Sequence, residues 1–324
     1  MRAFVQDRYG GPEVLTLGET DMPHMGPRDV QVRVLGASVN PADWFLLRGV
    51  PRLMRLALGL RGPKRRVPGR DVAGVVSAVG AEVTRFRVGD EVYGELGGGY
   101  GEYTTAPEEA VAQKPVNLDF ESAAAVPLAG LTALQGLRDK GRVQPGERVL
   151  IVGAAGGVGT FAVQLAKALG AHVSVVCRAE CAPQLHALGA DEVVDYTQDD
   201  FTARPARYDV IFDLIGDRPL RACVRALTST GRYVSSAPAL GRILKVAVAS
   251  LFSRRVAVLV SMPTAADLDY LTQQIEAGAV RPVIERVCEF EEVPTALAHQ
   301  GRGHARGKTV IRGASVSGAR DGAR

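Results

Sequence analysis

The alternation of apolar and polar positions changes its period twice along the chain. Up to about residue 120, short stretches alternate residue by residue, as in Gln31-Val32-Arg33-Val34 and Arg85-Phe86-Arg87-Val88. Glycine turns punctuate them at Gly10-Gly11, Gly69, Gly80, Gly89 and Gly97-Gly98-Gly99. Period-two alternation buries one face of a strand, and turns this closely spaced predict the short strands of a barrel-like β domain. From Ala123 the texture turns helical, with Pro127 at an element boundary ahead of a helix over 131–140. Between Glu147 and about Val260, strand-like runs at 149–152, 173–177, 193–195, 210–214 and 233–235 alternate with helix-length segments, which predicts a parallel, doubly wound sheet. After Pro263 come a helix over 267–277, a strand near 283–287, a helix from Val293 and a last strand, Lys308-Thr309-Val310-Ile311, able to pair back into the first domain. The expected domains are 1–122, 123–262 and the return segment 263–312, with 313–324 a disordered tail of small, polar and charged residues.

Composition adds little to this. The chain of 324 residues, 46% apolar and 23% charged, has the make-up of a globular protein with room for two cores. A net charge of +4 suits an anionic cofactor and does not argue for nucleic acid. Of the four cysteines only Cys177 and Cys181 are close, without the second pair a structural zinc site needs, so reduced thiols are expected. The N-terminus lacks a secretory-type apolar segment, and no run approaches the roughly 20 apolar residues of a membrane span. The expected location is cytoplasmic.

The strongest chemical signal lies at Arg148-Val149-Leu150-Ile151-Val152, a strand run leading into Gly153-Ala154-Ala155-Gly156-Gly157-Val158-Gly159. A helix follows, with an apolar stripe at Val158, Phe161, Ala162, Leu165 and Leu169. Strand, glycine turn and helix in that order are the setting of a dinucleotide fingerprint, here the variant Ala154-x-Gly156-x-x-Gly159. Small residues let the backbone approach a pyrophosphate, and the helix N-terminus offers free N–H groups. A purely structural glycine turn is the plainer alternative. The next strand ends in Arg178, where NAD-specific sites hold an acid for the ribose 2′-hydroxyl. A guanidinium suits a 2′-phosphate, so NADP(H) is the expected cofactor. Glu180 counts against it, and a merely solvated Arg178 stays open.

Other motifs follow in order: Ser38-Val39-Asn40-Pro41-Ala42-Asp43, Gly69-Arg70-Asp71-Val72-Ala73-Gly74, Gly89-Asp90-Glu91-Val92, Leu131-Thr132-Ala133, Leu188-Gly189-Ala190-Asp191, Val194-Asp195-Tyr196 and Gly303-His304-Ala305-Arg306-Gly307-Lys308-Thr309-Val310-Ile311. Over its whole length the chain resembles the medium-chain dehydrogenase/reductase superfamily, in the zinc-independent quinone oxidoreductase branch with the reticulon-4-interacting proteins. The resemblance implies an α/β protein: a GroES-like β-barrel catalytic domain with an inserted Rossmann nucleotide-binding domain. It implies that Ala155, Gly156, Gly157 and Val158 line the pyrophosphate and that Arg178 and Tyr196 face the 2′-phosphate. It sets Ser236 and Ala237 near the nicotinamide ribose, Asn40 and Thr132 near the nicotinamide, and His304, Ala305 and Arg306 over the cofactor. Plainer roles remain: Tyr196 as strand-end packing, Arg306 and Lys308 as a solvated basic turn, Asn40 as a turn former.

Zinc-dependent relatives carry cysteine where Asn40 stands and His-Glu where Arg70-Asp71 stands, so a zinc site is not expected. Some quinone reductases place a tyrosine at Phe45, and many have a glycine run where this chain reads Ser236-Ala237-Pro238-Ala239-Leu240. The implied reaction is hydride transfer from NADPH to a quinone. Asn40, Asp43 through a water, or solvent would supply the product's hydrogen bond or proton. The alternatives are reduction of α,β-unsaturated carbonyls and a non-enzymatic NADPH-binding regulator. A homodimer is a family-level expectation, with the apolar run 256–260 either its edge strand or an interior strand. In Pro51–Leu60, Leu53, Leu56 and Leu60 share one helical face with arginines between them. Two readings stay open there: an ordinary amphipathic helix packed on the β domain, or a mobile cover over an apolar acceptor such as a prenylated quinone, touching a membrane surface.

Overall fold

The computed structural model describes residues 1–237, 240–303 and 305–314. An antiparallel pair, β1 (Arg2–Gln6) and β2 (Leu15–Glu19), opens the chain. Then come β3 (Asp29–Val39), α1 (Pro41–Arg48), the single turn α2 (Arg55–Leu58), β4 (Asp71–Val79), β5 (Glu91–Glu95), β6 (Tyr103–Pro107) and β7 (Val111–Gln113). Helices α3 (Phe120–Ala124) and α4 (Pro127–Leu134) lead into an alternating unit. It runs β8 (Arg148–Val152), α5 (Gly157–Ala168), β9 (His172–Cys177), α6 (Ala182–Ala187), β10 (Glu192–Asp195), β11 (Tyr208–Asp213), α7 (Leu220–Ala226), β12 (Leu227–Ser235), α8 (Leu240–Phe252) and β13 (Val256–Val258). The chain returns through α9 (Ala265–Glu276), β14 (Ile284–Cys288), α10 (Val293–Arg302) and β15 (Lys308–Arg312).

Six of these strands form an all-parallel sheet in the order β10-β9-β8-β11-β12-β13. Alternate residues of its strands serve opposite cores. Val149, Ile151, Val210 and Phe212 pack with α4, α5 and α9, while Leu150, Ile211 and Tyr233 pack with α7 and α8. Helices on both faces explain why these strands read as unbroken apolar runs. The other sheet runs β14-β15-β3-β4-β5-β7, with β6 also on β3. The C-terminal β15 enters it antiparallel to β3, Val310 opposite Ser38, so residues far apart in sequence share one site.

Three expectations are corrected. Arg85-Phe86-Arg87-Val88 is a loop, not a strand. Phe86 is buried in the core, and the Arg85 guanidinium donates to the carbonyls of Glu108 and Val111, so the alternation marks one anchored ring rather than a pairing edge. The helix over 131–140 is α4 followed by a π-helical turn at Gln135–Lys140. Gly313 and Ala314 are not tail: the Gly313 N–H donates to the Leu35 carbonyl at 2.9 Å and Ala314 is buried. The rest of the expected tail, 315–324, lies outside the described residues. Among the described residues no helix is long and apolar enough to cross a membrane.

Candidate active site

The glycine turn forms a cradle at the C-terminal edge of the parallel sheet. Gly153 takes φ +86°, which favours glycine, and turns the chain sharply off β8. A Cβ on Gly159 would lie 2.4 Å from the Gly153 carbonyl oxygen, so α5 is pressed against the turn as only glycine allows. Above Gly156 the nearest atom to such a Cβ is 3.6 Å away, and the cradle opens outward there. Gly156 caps α5 without a side chain, leaving the N–H groups of Gly157 and Val158 without helical acceptors. Ala155 completes this turn. The arrangement fits a dinucleotide pyrophosphate. Ser236 and Ala237 lie on the same edge after β12, where the Ser236 N–H donates to the Asp213 carbonyl at 3.0 Å.

Beside the cradle, β9 and β10 pair in parallel with Cys177 opposite Asp195, so Arg178 and Tyr196 emerge side by side. The Arg178 Nε donates to the Tyr196 hydroxyl at 2.7 Å, and Tyr196 is exposed rather than packed at the strand end. Glu180 does not stand free here: the Arg306 guanidinium holds it at 2.5 Å. Arg306 is further held through its N–H to Glu285 and its carbonyl from Gln184. Ala305 lies half-buried next to it, and His304 lies outside the described residues.

The second half of the site is a buried polar cluster between the two sheets. Asp71, at the start of β4, accepts hydrogen bonds from Ser38 Oγ (2.8 Å), Asn40 Nδ2 (3.0 Å), the Leu128 N–H (3.0 Å) and Lys308 Nζ (3.3 Å). Lys308 also donates to Asn40 Oδ1, and its methylenes press on the cradle, its Cδ 2.7 Å from where a Gly157 Cβ would sit. One lysine therefore spans from the glycine turn to the Asn40–Asp71 pair. Thr132 lies one turn along α4 from Leu128 and donates to its carbonyl at 2.7 Å. Asp43 accepts the Asn40 N–H at 2.9 Å. Burial, reinforced by the charge of Asp71, pushes its carboxyl up to about 7. Nearby, burial drives the Tyr100 hydroxyl well above its usual range, with Asp43 and Asp71 adding to the effect. Arg70 pairs with Glu95, whose carboxyl burial raises and Arg70 partly restores.

The structure thus brings Asn40 and Asp43 to Asp71, while Thr132 reaches the Leu128 carbonyl one turn along α4. Asp71 was not singled out as functional from sequence. Nor were Ser38, Tyr100 and Lys308. The signal for two of them is legible afterwards: Asp71 and Lys308 each stand at the start of a strand next to buried apolar positions, where a charge needs a partner. The solvated-turn reading fails for Lys308, which is 3% exposed, while Arg306 is half exposed. Asn40 uses its side chain on Asp71 and Lys308. Among the described residues no three His, Cys, Asp or Glu side chains converge as metal ligands. An ammonium and an amide fill the place instead, so this donor set does not fit zinc.

A GroES-like sheet joined to a dinucleotide sheet, with a site at their junction, defines a medium-chain dehydrogenase/reductase. Residues 26–116 match the alcohol dehydrogenase GroES-like domain family, and residues 188–311 match the zinc-binding dehydrogenase family. The chain belongs to the medium-chain dehydrogenase/reductase superfamily, among the quinone oxidoreductase relatives, and is an oxidoreductase using a nicotinamide cofactor. It is 34% identical to the mouse (Mus musculus) mitochondrial NAD(P)H oxidoreductase RTN4IP1, across 96% of this chain and 89% of that protein. It is 33% identical to the 2-methylene-furan-3-one reductase of Solanum lycopersicum, across 96% of this chain and 79% of that protein. Among solved structures, the Coxiella burnetii quinone oxidoreductase superposes with a TM-score of 0.85 at 32% identity, covering 96% of this chain and 99% of that one.

Proposed function

We propose that the protein is a zinc-independent, NADPH-dependent quinone reductase. The observation that carries this reading is Lys308, which ties the glycine cradle to the Asn40–Asp71 cluster and so sets a preorganised polar site against the cofactor position. NADPH, when bound, supplies a hydride from its nicotinamide. Ala155, Gly156, Gly157 and Val158 line the pyrophosphate, which takes the free N–H groups of Gly157 and Val158. Arg178 and Tyr196 take the 2′-phosphate, and Glu180, neutralised by Arg306, does not repel it. Ser236 and Ala237 border the ribose, and Ala305 and Arg306 close over the cofactor. Asn40 and Thr132 position the ring. A quinone taking one hydride needs one proton to become a hydroquinone, and Asp43 relays it through a water, or solvent delivers it directly. Positioning and water exclusion are the protein's main contributions.

In this reading residues 1–122 with 263–312 form the catalytic domain and 123–262 the cofactor domain. A homodimer through β13 is supported by its place at the sheet edge, paired among the described residues to β12 alone, beside exposed Val260 and Met262. Four free, buried cysteines support a cytoplasmic location. A second acceptor class, α,β-unsaturated carbonyls, is favoured by the tomato relative's name.

The test is absorbance at 340 nm with NADPH or NADH and, in turn, a quinone and an enone. Faster NADPH consumption with the quinone is expected. Turnover of enones alone moves the assignment to double-bond reduction, and equal use of NADH removes the role of Arg178.

A further inference from the structure

The segment between Asp43 and Asp71 combines many cations with exposed leucines. It contains no Asp or Glu and eight Lys or Arg: Arg48, Arg52, Arg55, Arg61, Lys64, Arg65, Arg66 and Arg70. Its apolar face does not pack on the β sheet, which settles against one of the two sequence readings. Leu53, Leu56 and Leu60 are 70%, 67% and 70% exposed, with Met54 beside them. The backbone beneath is nonetheless held. The Tyr9 hydroxyl donates to the Gly59 carbonyl at 2.8 Å, Arg55 donates to the Gly49 and Arg48 carbonyls and stacks over the Tyr9 ring, and Arg65 donates to the Leu96 carbonyl. Arg66 pairs with Asp7. Arg52, Arg61 and Lys64 are exposed and meet no carboxylate among the described residues. A fixed platform thus presents leucines ringed by unpaired cations.

We propose that this platform is a peripheral docking surface for an anionic lipid bilayer, the leucines entering the interface and Arg52, Arg61 and Lys64 meeting lipid phosphates. Leu56 lies on the single turn α2, Leu53 just ahead of it and Leu60 beyond its end at Gly59. Exposed apolar side chains with basic neighbours are what an interfacial element needs, and cations near an anionic surface add attraction that falls within a Debye length. A second copy of the chain fits poorly, because the exposed Arg52, Arg61 and Lys64 of two such faces repel. A bare polyanion fits the cations but leaves the leucines in water. The inference is independent of the acceptor in the proposed reaction.

The test is co-sedimentation of the full chain with vesicles of phosphatidylcholine alone or with phosphatidylglycerol added. Binding to the anionic vesicles only is expected, weakening at least tenfold between 0.05 and 0.5 M salt. The triple variant Leu53→Ser/Leu56→Ser/Leu60→Ser and the double variant Arg61→Glu/Lys64→Glu are each expected to bind at least tenfold more weakly. A control away from any exposed apolar cluster, Lys140→Glu/Arg142→Glu, is expected to bind like the parent. The proposal is overturned by no binding to anionic vesicles, by full binding of the leucine variant, or by loss of binding in the control alone.

Discussion

Replacing Asp43 by Asn tests the electrostatics of the buried cluster directly. In the fold its carboxyl titrates at about 7, against 3.8 as its ordinary value, because burial and Asp71 disfavour the charge. Below pH 3.8 the group is protonated whether the chain is folded or not and costs nothing. Between 3.8 and about 7 the unfolded chain releases the proton that the fold retains, so stability falls as pH rises and levels off above 7. The span is about three pH units, and at about 1.4 kcal/mol each the penalty reaches roughly 4 kcal/mol at pH 8. At pH 5 less than half of it, under about 2 kcal/mol, has developed. The Asn variant keeps an oxygen for the Asn40 N–H, so the α1 cap survives while the titration disappears. Urea unfolding of both proteins at pH 5 and pH 8 is the assay. The variant's advantage over the parent is expected to be about 2–3 kcal/mol larger at pH 8. An advantage equal at both pH values would refute a neutral, buried Asp43.

Three further outcomes follow from the same geometry. Lys308→Met strands Asp71 without its ammonium, and chemical denaturation is expected to show a loss of about 3 kcal/mol, the lower end for a broken buried pair because Ser38, Asn40 and the Leu128 N–H still serve the carboxylate. Arg178→Ala is expected to raise KM for NADPH about tenfold or more and leave KM for NADH nearly unchanged, measured by steady-state kinetics; equal changes would mean Arg178 does not read the 2′-phosphate. Gly159→Ala places a methyl 2.4 Å from the Gly153 carbonyl, and fluorescence titration is expected to show NADPH binding at least tenfold weaker.

The sequence by itself determined the two-sheet architecture, because burial on one face or on both writes a different period into each strand. Val149 to Val152 reads as unbroken apolar since helices cover both sides of β8, and Val30, Val32 and Val34 alternate with polar partners since β3 is covered on one side. The glycine turn was equally legible, since close packing at Gly159 and the turn at Gly153 restrict those positions to glycine whatever surrounds them. Short alternations were less reliable: Arg85 to Val88 copies a strand with one anchored phenylalanine. What only the tertiary structure decided is contact between remote segments. Asp71, Asn40 and Lys308 lie up to 268 positions apart, and a lone charge at a strand end looks the same in sequence whether solvent or a buried partner receives it. The same ambiguity governs Leu53, Leu56 and Leu60. Their spacing predicts a shared helical face, but the helix ends at Gly59 before Leu60, and whether the leucines are covered depends on where neighbouring segments go; among the described residues none covers them.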